Sequence, residues 1–129
     1  MAIKPRRLSS AKMEKLAIEL LTYLQQHSLF DYVYIYVNNK CYCQNRIDNQ
    51  GQRFETKYGR YYIIPDMPVR EILEYCNPET ITVSFDGALY TAINYGYGST
   101  EADLNTMFKK YGMYMEQGHP SDFALYYND

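Results

Sequence analysis

Tyr32-Val33-Tyr34-Ile35-Tyr36-Val37 alternates strictly between tyrosine and an aliphatic residue. In an extended strand, successive side chains project to opposite faces, so Tyr32, Tyr34 and Tyr36 are expected to share one face and Val33, Ile35 and Val37 the other. Asn38-Asn39 suits a two-residue hairpin turn, which pairs Val37 with Lys40, Tyr36 with Cys41, Ile35 with Tyr42 and Tyr34 with Cys43. Both cysteines then join the tyrosine face. A row of exposed tyrosines is a stacking platform for unpaired bases, worth about 1–3 kcal/mol per base. Lys4, Arg6, Arg7, Arg46 and Arg53 would grip the phosphates of such a strand. The plainer reading is that tyrosine suits a half-wet sheet surface, ring packed and hydroxyl in water. The aromatic motif of single-strand RNA-binding sheets is absent.

Glu116-x-x-His119-x-x-Asp122 is the one cluster of histidine with carboxylates, the residue types from which hydrolases and nucleases build sites. It falls in a segment read as a loop, Gln117 to Asp122, with nothing in the pattern to pre-organise it. Cys41, Cys43 and Cys76, even with His27 or His119, lack the spacing of a zinc site, and Cys76 is expected on an apolar helix face as a small hydrophobe. Gly96-Tyr97-Gly98-Ser99-Thr100 leads into a helix N-terminus, which favours anions, but it has no phosphate-loop lysine and no parallel βαβ setting. A helix cap explains it. No metal or cofactor is implied.

The 129 residues fit one domain, 1–129, and 47% hydrophobic content can fill a core. No apolar run approaches a membrane span and no secretion signal follows Met1, so a soluble, cytoplasmic protein is expected. Three cysteines fit a reducing compartment. The net charge of −2 conceals a division: residues 1–64 carry ten basic and five acidic side chains, whereas residues 65–129 carry three and ten. Such asymmetry marks a partner surface or two ordinary solvated faces lying side by side.

The elements that must position these groups follow from periodicity. A basic arm (1–8) precedes an amphipathic helix over about 10–26, capped by Ser9 or Ser10, with Met13, Leu16, Ala17, Leu20, Leu21 and Leu24 on one face. The tyrosine hairpin follows. Residues 46–59 are polar and read as a flexible loop, and Tyr61 to Ile64 as a strand. Asp66 and Pro68 open a helix with Val69, Ile72, Leu73 and Cys76 on its inner face, ended by Asn77-Pro78. Thr80 to Phe85, the turn pair Asp86-Gly87 and Ala88 to Tyr95 read as a second hairpin. Thr100 and Asp103 open a helix whose stripe is Leu104, Met107, Phe108 and Tyr111, with Gly112 at its end. Short strands over 113–116 and 123–127 complete the chain. The expected fold is α+β: an antiparallel sheet of hairpins on two or three helices, with a likeness between αββ segments at a spacing of 48 residues that either duplication or plain convergence on hairpin chemistry would give.

In its size, its isolation from any motif and its charged, tyrosine-rich character, the chain resembles the small accessory proteins of bacterial viruses and mobile elements. Some of these inhibit host defence systems such as restriction enzymes or CRISPR effectors. The resemblance implies stoichiometric binding to a host nucleoprotein, with Asp66, Glu71, Glu74, Glu79, Asp86, Glu101 and Asp103 imitating phosphates in a basic channel. Proteins that mimic phosphates tend to be strongly acidic, and this chain is only mildly so. Blocking by shape and tyrosine contacts is the other route. A non-catalytic binding protein with a protein partner is therefore the expectation, the alternative being RNA or single-stranded DNA binding through the tyrosine face. Homodimerisation through a sheet edge or that face would accompany either.

Overall fold

The structure, a computed structural model, describes residues 7–45, 51–96 and 98–128. Helix α1 (Ser10–Gln26) begins where the Ser9 hydroxyl accepts the Lys12 N–H, and it buries the six apolar residues expected from its periodicity. Strands β1 (Val33–Val37) and β2 (Lys40–Cys43) form the tyrosine hairpin in the expected register. Asn38 and Asn39, at φ of 51° and 61°, supply the left-handed turn that matches the strand twist.

Residues 52–59 depart from expectation, whereas the strand expected over Tyr61 to Ile64 is present as part of β4 (Gly59–Ile64). In place of the second part of a flexible loop, residues 52–59 form β3 (Gln52–Thr56) and the start of β4, paired from Gln52–Ile63 to Thr56–Gly59. β3 is an edge strand with only Phe54 turned to the core, where its ring stacks on Tyr61 at 5.4 Å. An edge strand needs few apolar residues and gains from charge, so its polarity imitated a loop. The part of the expected loop at residues 46–50 lies outside the described residues.

After β4 the chain crosses the sheet as a strap. Its only helical turn is α2 (Val69–Ile72), far shorter than the helix expected from Asp66 to Cys76, because Leu73 is already extended. Val69, Leu73 and Cys76 still reach the expected apolar surroundings, while Ile72 is exposed.

β5 (Thr82–Phe85) leads into α3 (Gly87–Asn94), not into a returning strand. Asp86 Oδ1 accepts the Gly87 N–H and caps the helix, and Leu89, Ala92 and Ile93 bury one helical face. The expected second hairpin fails because both edges of β5 are occupied, by β1 on one side and by β7 on the other. The αββ repeat ends with it, since the likeness between the two segments covers only the first strand of each. α4 (Thr100–Lys110) follows, with Ser99 as its N-cap, one residue before the expected position. β6 (Met113–His119) and β7 (Asp122–Tyr127) close the chain.

The result is α+β: a seven-stranded antiparallel sheet in the order β3-β4-β2-β1-β5-β7-β6. One face packs against α1, α3 and α4 through Leu20, Ile35, Val83, Leu104, Phe108 and Phe123. The strap covers part of the other face and buries a smaller core of Tyr36, Cys41, Cys43, Ile64 and Val69. Asn77 and Thr80 tie the strap to β7, both donating to the Leu125 carbonyl, at 2.8 and 2.6 Å. Among the described residues, no helix is long and apolar enough to cross a membrane.

Candidate recognition site

The strap divides the tyrosine face. Tyr36 is only 5% exposed, and its hydroxyl is pushed up to about 12, first by burial and then by Cys41, with the Ser84 hydroxyl pulling partly back. Tyr34 is half-buried, and burial first, then Cys43 and Cys41, raises its hydroxyl above the ordinary tyrosine value. Tyr32 is 53% exposed and precedes β1, so it does not follow the alternation of Tyr34 and Tyr36. Three parallel rings open to bases are not present.

Tyr32 takes φ = +61°, the one aromatic among the described non-glycine residues with positive φ. A side chain there costs about 1–2 kcal/mol, and such strain persists only where surrounding contacts over-determine it. They do so here. The Tyr32 N–H donates to Asn45 Oδ1 at 2.7 Å, and its carbonyl accepts the Asp86 N–H at 3.0 Å. Asn45 is itself oriented by donating from Nδ2 to Asp31 Oδ1 at 3.0 Å. Gly87 borders the ring, where a Cβ would make ordinary contact at 3.6 Å from Tyr32 Cδ2.

Beside Tyr32 lies a groove of about 350 Å³, lined by Tyr32, Tyr34, Ser84, Phe85, Asp86 and Ser121. Its rim is pinned where the Phe85 N–H donates to the Ser121 carbonyl at 2.8 Å. Sheet register explains the convergence, because Tyr34 pairs with Ser84, which pairs with Asp122 on the next strand.

Asp122 continues this row into a histidine–carboxylate pair that the sequence assigned to an unorganised loop. His119 belongs to β6, and a bulge between Glu116 and His119 re-aims it. Asp122, with its side chain 9% exposed, accepts the backbone N–H groups of Gly118 and His119 on Oδ1, at 3.2 and 2.8 Å. Its Oδ2 lies 2.8 Å from His119 Nδ1. This contact directs Nδ1 at the carboxylate, and the His119 side chain is 51% exposed. Tyr75 presses its ring edge toward His119 and lies over Gly118, where a Cβ would overlap the ring. The Tyr75 hydroxyl donates to the Glu116 carbonyl at 2.9 Å.

This pair is not a hydrolytic triad. Ser84 and His119 flank Asp122 on opposite neighbouring strands, so the two are separated by about two strand spacings, roughly 10 Å. A triad needs the histidine between the other two members.

The remaining candidates are dispersed. Lys4, Arg6 and Arg46 lie outside the described residues. Arg7 pairs with Glu79 at 3.2 Å and covers the Tyr127 ring, and Arg53 pairs with Glu55 at 2.8 Å on the β3 edge. Of the acids, Glu71 and Glu74 belong to the strap, whereas Glu101 and Asp103 belong to α4 on the opposite side of the sheet. Asp103 is held by the hydroxyls of Tyr23 and Ser99, at 2.6 and 3.0 Å, and these bonds lower its carboxyl. The acids therefore do not form one phosphate-like surface. Cys41 and Cys43 are fully buried beside Cys76, while the His27 ring lies tilted against Tyr23. Among the described residues, no three side chains are grouped to hold a metal.

Sequence reasoning missed Ser84, Phe85 and Ser121 as parts of the groove, and Asn45 as the residue that holds the Tyr32 backbone. The Asp86-Gly87 pair was visible, but its role is a helix cap at the rim, not a hairpin turn. Compared with protein-family models, curated proteins and solved structures, the chain matches none.

Proposed function

We propose that this protein is a non-catalytic recognition protein that binds a protein partner stoichiometrically through the groove beside Tyr32. The observation that carries this reading is the backbone of Tyr32: a large, exposed aromatic residue held in a left-handed conformation by Asn45 and Asp86. The strain has no packing benefit in the core to offset it, and strained residues cluster at ligand clamps and switches. A rigid tyrosine is a favoured interface anchor, because it offers large area at low cost in side-chain entropy. The covering of Tyr36 and the dispersion of the arginines argue against base stacking as the main activity. A host nucleoprotein is the partner class implied by the resemblance to accessory proteins of mobile elements, and shape with tyrosine contacts, not phosphate imitation, is then the mode of blocking.

The test is co-purification from lysate of a cell in which the gene occurs, comparing the native chain with Tyr32→Asn. Native protein should retain one partner in stoichiometric amount, and Tyr32→Asn should lose at least about tenfold in affinity, the scale of an interface anchor. Equal retention by both, or no stoichiometric partner for the native chain, would overturn the proposal.

A further inference from the structure

The groove beside Tyr32 combines two features that select the same occupant. Its walls are aromatic, with Tyr32 exposed and Tyr34 half-buried, and its polar lining is Ser84, Ser121 and the exposed carboxylate of Asp86. No lysine or arginine lines it. Asp86 uses Oδ1 to cap α3, which leaves Oδ2 uncommitted among the described residues. The α3 N-terminus beside it carries a partial positive charge of about half a unit, which the full carboxylate outweighs. Buried Asp122 adds negative charge one residue from Ser121, shared with His119.

Resting on the recognition reading above, we infer that the groove receives an arginine side chain of the partner protein. The guanidinium would lie on the Tyr32 ring, as cations do on aromatic faces, and donate to Asp86 Oδ2. The planar fork of arginine satisfies both contacts at once, whereas the ammonium of lysine is a more strongly hydrated point charge. A phosphate or nucleotide would meet Asp86 with like charge, so the same electrostatics disfavour nucleic acid here.

The experiment is a titration of the isotopically labelled full chain with N-acetylarginine amide, followed by NMR, with the uncharged citrulline analogue and oligothymidylate as comparators. Saturable shifts are expected at Tyr32, Tyr34, Asp86 and Ser121 with the arginine probe, weakening as salt is added. Asp86→Asn retains a good helix-capping residue and should bind the probe at least about threefold more weakly. Tyr32→Phe should keep binding and Tyr32→Asn should lose it. Equal binding of the citrulline analogue, undiminished binding by Asp86→Asn, or no shift at these residues would overturn the inference. Shifts there from oligothymidylate alone would assign the groove to nucleic acid instead. If the probe fails while the native chain still holds a protein partner in a Tyr32-dependent way, the arginine inference falls and the recognition reading stands. Probe binding without any stoichiometric partner would overturn the recognition reading instead.

Discussion

The backbone N–H of Tyr32 and the side-chain oxygen of Asn45, 2.7 Å apart, hold an exposed aromatic residue at φ = +61° at the entrance to β1. Asparagine tolerates that conformation far better than tyrosine. Tyr32→Asn should therefore raise the unfolding free energy by about 0.5–1 kcal/mol while removing partner binding. Urea denaturation measures the first effect. A loss of stability above about 1 kcal/mol would show that the ring, not its backbone, contributes to the fold.

Gly118 lies under the Tyr75 ring, with no space for a Cβ. Gly118→Ala should destabilise the protein by about 2–3 kcal/mol, since either the bulge or the strap must shift. Pairing it with Tyr75→Ala in a double-mutant cycle should recover at least about 1 kcal/mol, because the ring is the obstacle. Strict additivity of the two substitutions would place the cost in the backbone of the bulge.

Asp122 accepts two backbone N–H groups and holds His119 from a buried position. Asp122→Ala should cost about 1–2 kcal/mol by removing the shared acceptor of two part-buried backbone N–H groups. His119→Ala, on the exposed side of the same pair, should cost less than about 1 kcal/mol. Thermal unfolding of the two variants compares them, and equal losses would contradict this division of roles.

Glu14 joins α1 to the first hairpin, accepting from Lys40 Nζ at 2.8 Å, the Tyr42 hydroxyl at 2.7 Å and Asn38 Nδ2 at 3.1 Å. The bonds from Lys40 first, then Tyr42, hold its carboxyl below the ordinary value of 4.5. A carboxyl depressed in the folded state contributes stability in full above its unfolded value and loses it as pH falls through the folded value. Stability should therefore decline as pH falls below about 4.5, and Glu14→Gln should flatten that decline while costing about 1 kcal/mol at pH 7. Unchanged steepness of acid unfolding in the variant would rule out Glu14 as a contributor.

The buried thiols give a labelling pattern. Cys41 and Cys43 have no exposed surface and Cys76 is half-buried. Cys41 is raised well above an ordinary thiol, first by its hydrogen bond to Cys43 and then by burial. Iodoacetamide should modify Cys76 first and reach the other two only on unfolding. Mass spectrometry of the native protein reads this directly, and early modification of Cys41 or Cys43 would show that the strap opens.

Local chemistry was enough to place some elements. The Asn38-Asn39 turn dictated the register of the first hairpin, because few residues other than asparagine take two successive left-handed conformations. The leucine spacing of residues 13–24 dictated α1, and Gly112 after the stripe of Leu104, Met107 and Phe108 marked the end of α4. Periodicity alone misled where two structures share a pattern. Gln52 to Thr56 is polar like a loop, yet pairs along the sheet edge, and Ala88 to Tyr95 suits a strand but meets a β5 with both edges filled.

The site shows the same division. Sequence by itself determined the tyrosine alternation, the split in charge and the His119–Asp122 spacing, all of which depend on residue type and on intervals along the chain. Only the tertiary structure decided that the strap buries Tyr36 and that Asn45 turns Tyr32 outward. It also decided that Asp86 and Ser121, 35 residues apart in the chain, meet Tyr32 in one groove. The physical reason is that burial and convergence depend on which strands become neighbours and what crosses them. That outcome is set by the whole sheet competing for each strand edge, not by the sequence of any one strand.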